Sequence, residues 1–172
     1  MIKILVCVAI LLAFSGASTA QSQIPEDLKI TIQRSVCYGS CPDYTLTVLA
    51  DGTVQFDGRA NVATKGVAYG HASYQDLQKL VSAFEAASYF TLHDQYRAET
   101  DGCPEVWTDN PTVVTSILIS GKSKTILHYH GCQAGSGSSV FPTALTELET
   151  TIDRILGSSQ WVKDAKAEKD PQ

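Results

Sequence analysis

The amino-acid sequence predicts an α+β domain, in which one antiparallel sheet of about five strands carries two amphipathic helices on one face. Three observations predict it. Several short stretches alternate apolar and polar residues, the two-residue turn Asp51-Gly52 joins two of these stretches, and two longer stretches repeat apolar residues at helical spacing. Strands joined by short turns pair in antiparallel fashion, and each helix must bury its apolar stripe on the sheet. The predicted order is β-β-β-α-β-β-α.

The first three strands are predicted from alternation. Residues 28–36 and 44–49 alternate and are rich in β-branched side chains, which favours strands. Alternation resumes at residues 53–56 beyond the Asp-Gly turn, which predicts a hairpin. Residues 61–71 contain two glycines, and we expect them to be extended with a kink.

The first helix is predicted over residues 74–87. Ser73 is the expected N-cap, with Asp76 three residues later as an imperfect capping box. Apolar residues then follow at the i, i+3, i+4 and i+7 positions of one helical stripe. The next stretch, residues 93–111, is polar and irregular, and loops of this length inside a domain are usually functional or disordered.

A second hairpin and a second helix complete the predicted fold. Strands are expected over residues 112–119 and 124–130, and a Gly/Ser-rich stretch follows them. Apolar residues at helical spacing then predict a helix that begins near Pro142, which is tolerated in a first turn, and ends at Gly157.

The chain ends define the predicted domain organisation. Residues 1–20 combine a positive start, a short apolar run and small residues, which is typical of a secretory signal peptide. We expect residues 21–27 to be a short linker and residues 28–157 to be a single domain. Residues 158–172 are charged at their end, and we expect a disordered tail. The protein is therefore predicted to be exported, either to a periplasm or out of the cell.

The charge distribution excludes some classes of partner. The chain has 13 basic and 18 acidic residues and a formal net charge of −5. Removal of the signal peptide also removes the cation Lys3, which makes the mature chain more negative. No stretch concentrates Lys or Arg beside aromatic residues, as a nucleic-acid surface requires. An anionic membrane surface is disfavoured for the same reason. We expect no nucleic-acid partner and no membrane span after signal removal.

Four cysteines remain after signal removal, namely Cys37, Cys41, Cys103 and Cys132. An even number in an exported chain indicates two disulfides, for which three connectivities are possible. We favour Cys37–Cys41 with Cys103–Cys132. The short spacing also raises an alternative, thiol-disulfide redox chemistry at Cys37 and Cys41. A thioredoxin-type centre has C-x-x-C at a helix N-terminus, whereas this pair is spaced one residue further apart and lies between strands, which favours a structural clamp.

Through the motif C-Y-G-S-C-P-D-Y at residues 37–44, the chain resembles a family of bacterial proteins described as a domain of unknown function, number 6438. The resemblance covers roughly residues 28–156. Its other carriers are Asp51-Gly52-Thr53-Val54, Phe56-Asp57-Gly58, Thr100-Asp101, Gly121-Lys122 and the stretch from Leu145 to Asp153. It supports the fold and implies a cell-envelope setting, and it brings no activity or catalytic residues. The sequence departs from the family pattern at residues 102–110, an insertion with Cys103. Cys132 is a second addition, which favours a bridge between the two.

Two histidines raise a second alternative, a metal-binding protein. Side chains alternate along a strand, so His128 and His130 are expected on one face, with Cys132 and Asp101 as possible further ligands. Against a site, thiolate metal centres are scarce in oxidising compartments, and Cys132 has a predicted partner. The ordinary interpretation is a pair of half-exposed histidines beside a sheet edge.

The polar stretch 93–111 offers candidate binding residues. It holds five acidic side chains, but the residue order of an EF-hand is absent, so a solvated loop is favoured over a Ca²⁺ site. Trp107 in this loop is either an interface anchor or a core plug. Catalytic signatures such as G-x-S-x-G and H-E-x-x-H are absent from the sequence. We therefore predict a non-catalytic, disulfide-braced binding module of the envelope without a cofactor. Its surface is expected to include Tyr38, Asp101 and Trp107 and to bind an envelope or extracellular protein or a small ligand.

Overall fold

The computed structural model describes residues 23–133 and 143–162 of the chain. The predicted signal peptide lies outside these residues. So do residues 21–22 of the predicted linker, most of the Gly/Ser-rich stretch, Pro142 and the last ten residues of the predicted tail.

The regular structure of the described residues consists mainly of short strands and two α-helices. The elements are β1 (Lys29–Arg34), β2 (Asp43–Leu49), β3 (Thr53–Ala60), β4 (Gly66–His71), α1 (Tyr74–Ala86), β5 (Gln95–Tyr96), β6 (Glu105–Val106), β7 (Thr112–Ile119), β8 (Lys122–Tyr129), β9 (Cys132–Gln133) and α2 (Thr143–Leu156).

The main sheet has seven strands in the order β4-β3-β2-β1-β7-β8-β5. Neighbouring strands are antiparallel except β5, which runs parallel to β8. The fold class is thus confirmed, but the predicted count of about five strands was too low. A separate two-stranded sheet pairs β6 with β9.

The predicted element order also needs correction. Four strands, not three, precede α1, because β4 occupies the stretch that we expected to be extended with a kink. β4 is an edge strand that carries two glycines, and its exposed and half-buried residues leave no strong alternation to detect. β5 and β6 lie within the stretch predicted to be irregular, and each is only two residues long.

The core lies between one face of the sheet and the two helices. Alternate residues of β1, β2 and β3 are buried, which leaves their other face more exposed. The helices contact each other and bury apolar stripes that include Leu80 of α1 and Ile152 of α2. Within the described residues, neither helix is long and apolar enough to cross a bilayer.

The predicted helix ends are close to those observed. The Ser73 hydroxyl accepts a hydrogen bond from the Asp76 amide (3.1 Å), and the Asp76 carboxylate accepts one from the Ser73 amide (3.3 Å). This is a complete capping box at the start of α1. α2 ends before Gly157, whose φ of +66° is the left-handed conformation that favours glycine after a helix.

The predicted tail begins too early at residue 158. A 3-10 turn at Ser158–Gln160 leads to Trp161, which is only 7% exposed. Its indole stacks on Phe56 with ring centroids 5.1 Å apart, and its carbonyl accepts from the amide of Ala63 (3.0 Å). One apolar side chain beside a charged stretch gives no periodic signal, so the sequence pattern did not reveal this contact.

Candidate binding surface and buried histidine cluster

Two loops of the described residues lie at the same end of the sheet. The last residue of β1, Arg34, pairs with Tyr44 near the start of β2 and with Val113 near the start of β7. The start of β7 in turn pairs with the end of β8. The first loop (residues 35–42) and the second loop (residues 97–111) therefore emerge side by side.

These two loops contact each other directly. The Tyr38 amide donates to the Asp109 carbonyl (3.2 Å). At the base of the loops, the Ser35 amide donates to the Thr112 carbonyl (3.0 Å), and the Ser35 hydroxyl accepts from the Thr112 amide (2.9 Å). The first and second loops thus form one surface, which we call the loop surface.

Two disulfides brace this surface, and they have the connectivity that we favoured. Cys37 is bonded to Cys41 within the first loop, with Cα atoms 5.4 Å apart. Cys103 is bonded to Cys132, with Cα atoms 5.2 Å apart. The second bridge is buried and ties the second loop to the chain that follows β8, where β6 also pairs with β9.

The surroundings of the Cys37–Cys41 disulfide are those of a structural bridge that shapes a loop. The loop runs directly from β1 into β2, so neither cysteine stands at the start of a helix, where the dipole would stabilise a thiolate. The Asn61 side-chain amide donates to the Cys41 carbonyl (3.0 Å), which fixes the loop against the chain after β3. These contacts support a structural role over redox chemistry.

The loop surface exposes two aromatic side chains. Tyr38 is 89% exposed and Trp107 is 57% exposed, with the apolar residues Val36 and Val106 also exposed nearby in sequence. Trp107 is therefore not a core plug. Its indole N–H donates to the Glu105 carboxylate (2.8 Å), so the ring has a fixed neighbour on the surface.

The backbone of Trp107 is held firmly even though its side chain is exposed. Its amide donates to the Gly131 carbonyl (2.7 Å), and its carbonyl accepts from the Tyr129 hydroxyl (2.9 Å). A Cβ atom at Gly131 would overlap the Trp107 carbonyl oxygen, so this close approach requires glycine. The exposed aromatic side chain is thus presented from a rigid frame.

Asp101, the third predicted surface residue, supports the loop from within. Its carboxylate accepts from the Gln95 side-chain amide (2.9 Å) and lies 3.7 Å from Arg97. Asp94 instead pairs with Lys124 (2.9 Å). Among the described residues the acidic side chains of the second loop do not converge, and the Ca²⁺ hypothesis gains no support.

Two histidines and a glutamate form a cluster beneath the loops. His128 Nδ1 lies 2.9 Å from Glu149 Oε1, and His130 Nε2 lies 2.8 Å from Glu149 Oε2. His128 is 2% exposed and Glu149 is 1% exposed, whereas His130 is 27% exposed. The expectation of two half-exposed histidines is wrong for His128, because β8 is not an edge strand and α2 covers this face.

The ionisation of Glu149 fixes the direction of both hydrogen bonds. Burial raises the pKa of this carboxyl, but hydrogen bonds from His128 and His130 more than offset burial, and the net pKa is lowered. An ionised carboxylate only accepts, so each histidine donates through the nitrogen that faces it. Glu149 is therefore an anion between two imidazoles.

Sequence reasoning missed Glu149, although the helix pattern contains a signal for it. Glu149 stands four residues after Leu145 and three before Ile152, which places it on the buried stripe of α2. One turn later, Asp153 accepts from the Tyr44 hydroxyl (2.6 Å) and from Arg34 Nε (2.7 Å). An acidic residue at a core position of a helix is unusual and needs a partner.

Comparison with known proteins agrees with the motif around Cys37. The sequence model of a family described as "Domain of unknown function (DUF6438)" matches residues 28–156. The chain belongs to the DUF6438 family. No curated protein matches it.

Proposed function

We propose that this DUF6438 protein is an exported, non-catalytic interaction module of the bacterial cell envelope, which binds a protein partner through the loop surface. The observation that carries the proposal is the contact between two disulfide-braced loops, Tyr38 amide to Asp109 carbonyl. Each of these loops also exposes an aromatic side chain.

Braced aromatic residues are well suited to binding. A large ring buries much apolar area on association, and Trp and Tyr dominate the affinity of many interfaces. Association normally loses free energy because loops and side chains become ordered. The disulfides and the backbone bonds of Trp107 order these loops before a partner arrives.

The charge of the loop surface indicates the chemistry of the partner. The one cation of the loop surface, Arg97, lies beside Asp101. Its exposed acidic side chains are those of Glu99, Glu105 and Asp109. A partner that presents Arg or Lys beside apolar residues would complement these carboxylates. The same cations can stack on the faces of Tyr38 and Trp107.

The disulfides also support export. Such bonds persist in oxidising compartments, and this chain has one buried bridge and one in an exposed turn. Within the proposal, Asp101 acts through Gln95 and Arg97 to hold the second loop in place.

The proposal is tested with immobilised mature protein and an envelope extract from the producing cells. Proteins retained by the wild type are quantified against Trp107→Ala, Tyr38→Ala and the control Tyr69→Ala, which removes an exposed tyrosine from the edge strand β4. We expect the control to retain the same partner, and the two loop variants to lose at least about tenfold of it. Retention should fall as salt is raised. Equal retention by all three variants would remove the loop surface as the binding site.

A further inference from the structure

The cluster of His128, His130 and Glu149 differs from the exposed loop surface, because two of its three members are almost fully buried. Its donor atoms all lie within 4.8 Å of one another. Each imidazole nitrogen is 2.8 or 2.9 Å from a carboxylate oxygen. In a tetrahedral zinc site with bonds of about 2.0–2.2 Å, ligand atoms are separated by roughly 3.3–3.6 Å. An ion would therefore fit after shifts of about half an ångström, once each facing ring nitrogen has lost the proton that it donates to Glu149.

The charge around the cluster favours a cation. Glu149 and Asp153 are two acidic groups on consecutive turns of α2, and Arg34 is the guanidinium that faces them. Arg34 is already paired with Asp153 (2.6 Å). Within the described part of the chain, the Glu149 charge is stabilised only by the hydrogen bonds that both of its carboxylate oxygens accept from His128 and His130 and by the more distant Arg34. A divalent cation would compensate this charge.

The cluster is also rigid and accessible. His128 is in strand β8, Glu149 is in helix α2, and the edge of Tyr96 packs at His128 with ring centroids 6.2 Å apart. Ligands on regular elements hold their geometry better than ligands on loops. His130, at 27% exposure, provides the route from solvent and the side on which a further ligand can enter.

The two other ligands considered from the sequence are ruled out for this site. Cys132 is bonded to Cys103, so it has no thiolate to offer. Asp101 is engaged by Gln95 and is not part of the cluster. Glu149, which the sequence analysis did not identify, supplies the third donor group of the cluster.

We propose that His128, His130 and Glu149 bind one divalent transition-metal ion, with Zn²⁺ as the ion that this donor set fits best. Two imidazole nitrogens and one carboxylate oxygen are the protein ligands of zinc sites that keep a fourth position open. A water molecule or a donor atom from a bound ligand would fill that position, and it would enter beside His130, the most exposed of the three residues.

The test uses untagged mature protein stripped with EDTA and titrated with Zn²⁺ against a chromogenic chelator at pH 7.5. Bound metal is counted by elemental analysis. The variants are His130→Ala and Glu149→Gln, and the matched control is His71→Ala, an exposed histidine at the opposite edge of the sheet. We expect one equivalent of Zn²⁺ in the wild type and the control. Both cluster variants should bind more than about 100-fold more weakly, since even outer-shell changes cost 10–100-fold.

Two outcomes would overturn the metal site. One is a wild-type protein that binds no Zn²⁺ at 100 times the protein concentration. The other is a His130→Ala variant with unchanged affinity. If Glu149→Gln fails to fold by circular dichroism, His130→Ala decides alone, because His130 lies at the rim of the cluster. Affinity should also fall on acidification, since protons compete with the metal for imidazole nitrogens.

Discussion

At the scale of single residues, Glu149 makes stability depend on pH in a definite direction. Its pKa in the folded protein is below the ordinary value of 4.5. Above pH 4.5 the carboxyl is ionised in both states, and the stabilisation is fully present. Below it the unfolded chain takes up the proton first, so stability is lost as pH falls through the folded-state pKa.

The prediction is checked by urea unfolding in EDTA at pH 7, 5, 4 and 3. The free energy of unfolding of the wild type should fall more steeply below pH 4.5 than that of Glu149→Gln. Asp76 and Asp51 also have lowered pKa values, from hydrogen bonds to Ser73 and Thr53 respectively, but they titrate in both proteins. Parallel curves for the two proteins would contradict the ionised, hydrogen-bonded state of Glu149.

The two tryptophans provide a second test at the residue scale. Trp161 is buried against Phe56, and its replacement by alanine should cost about 3–5 kcal/mol of unfolding free energy. Trp107→Ala should change stability by less than about 0.5 kcal/mol, because the ring is exposed. Urea denaturation of both variants measures this. A large loss in Trp107→Ala would mean that the residue supports the fold and is not available to a partner.

At the scale of elements, the two disulfides should contribute unequally. The chain-entropy model gives roughly 3.5 kcal/mol for the ring from Cys103 to Cys132 and about 2 kcal/mol for the ring from Cys37 to Cys41. Double alanine variants of each pair leave no free thiol behind. Urea unfolding should show the larger loss for the longer ring, and the reverse order would contradict the assigned role of the second bridge in holding the loop to the sheet.

The elements that the sequence predicted well are those with a strong periodic signal. Strands β1, β2 and β7 each bury alternate residues, and both helices have clear stripes and end signals. β4 and β5 were missed because an exposed edge strand and a two-residue strand have little alternation to read. Their pairing depends on tertiary contacts, which local propensity does not encode.

The candidate site residues were likewise predictable only where the signal was local in sequence. Residues within one short motif, such as His128 and His130, could be paired from strand alternation alone. Glu149 could not be joined to them, because 21 residues separate it from His128 and the contact depends on how α2 lies over β8. The contact between the first and second loops is likewise a product of the sheet register.

At the scale of the whole molecule, the fold separates two kinds of chemistry. The loop surface is exposed, apolar and acidic, and the disulfides hold it rigid. The cluster beneath it is buried and presents nitrogen and oxygen donors. The proposed partner binding and the proposed metal binding rest on different residues. We therefore expect Trp107→Ala to affect only the first and His130→Ala to affect only the second.

If the loop surface meets a protein partner in the cell, site-specific photo-cross-linking should capture the two together. A benzophenone amino acid replaces either Tyr38 or Tyr69, two exposed tyrosines on different surfaces. Irradiation of living cells should give a discrete cross-linked species from position 38 and none from position 69. Adding Trp107→Ala should abolish that species. The same products from both positions, or a position-38 product that Trp107→Ala leaves unchanged, would show that the partner does not bind at the loop surface.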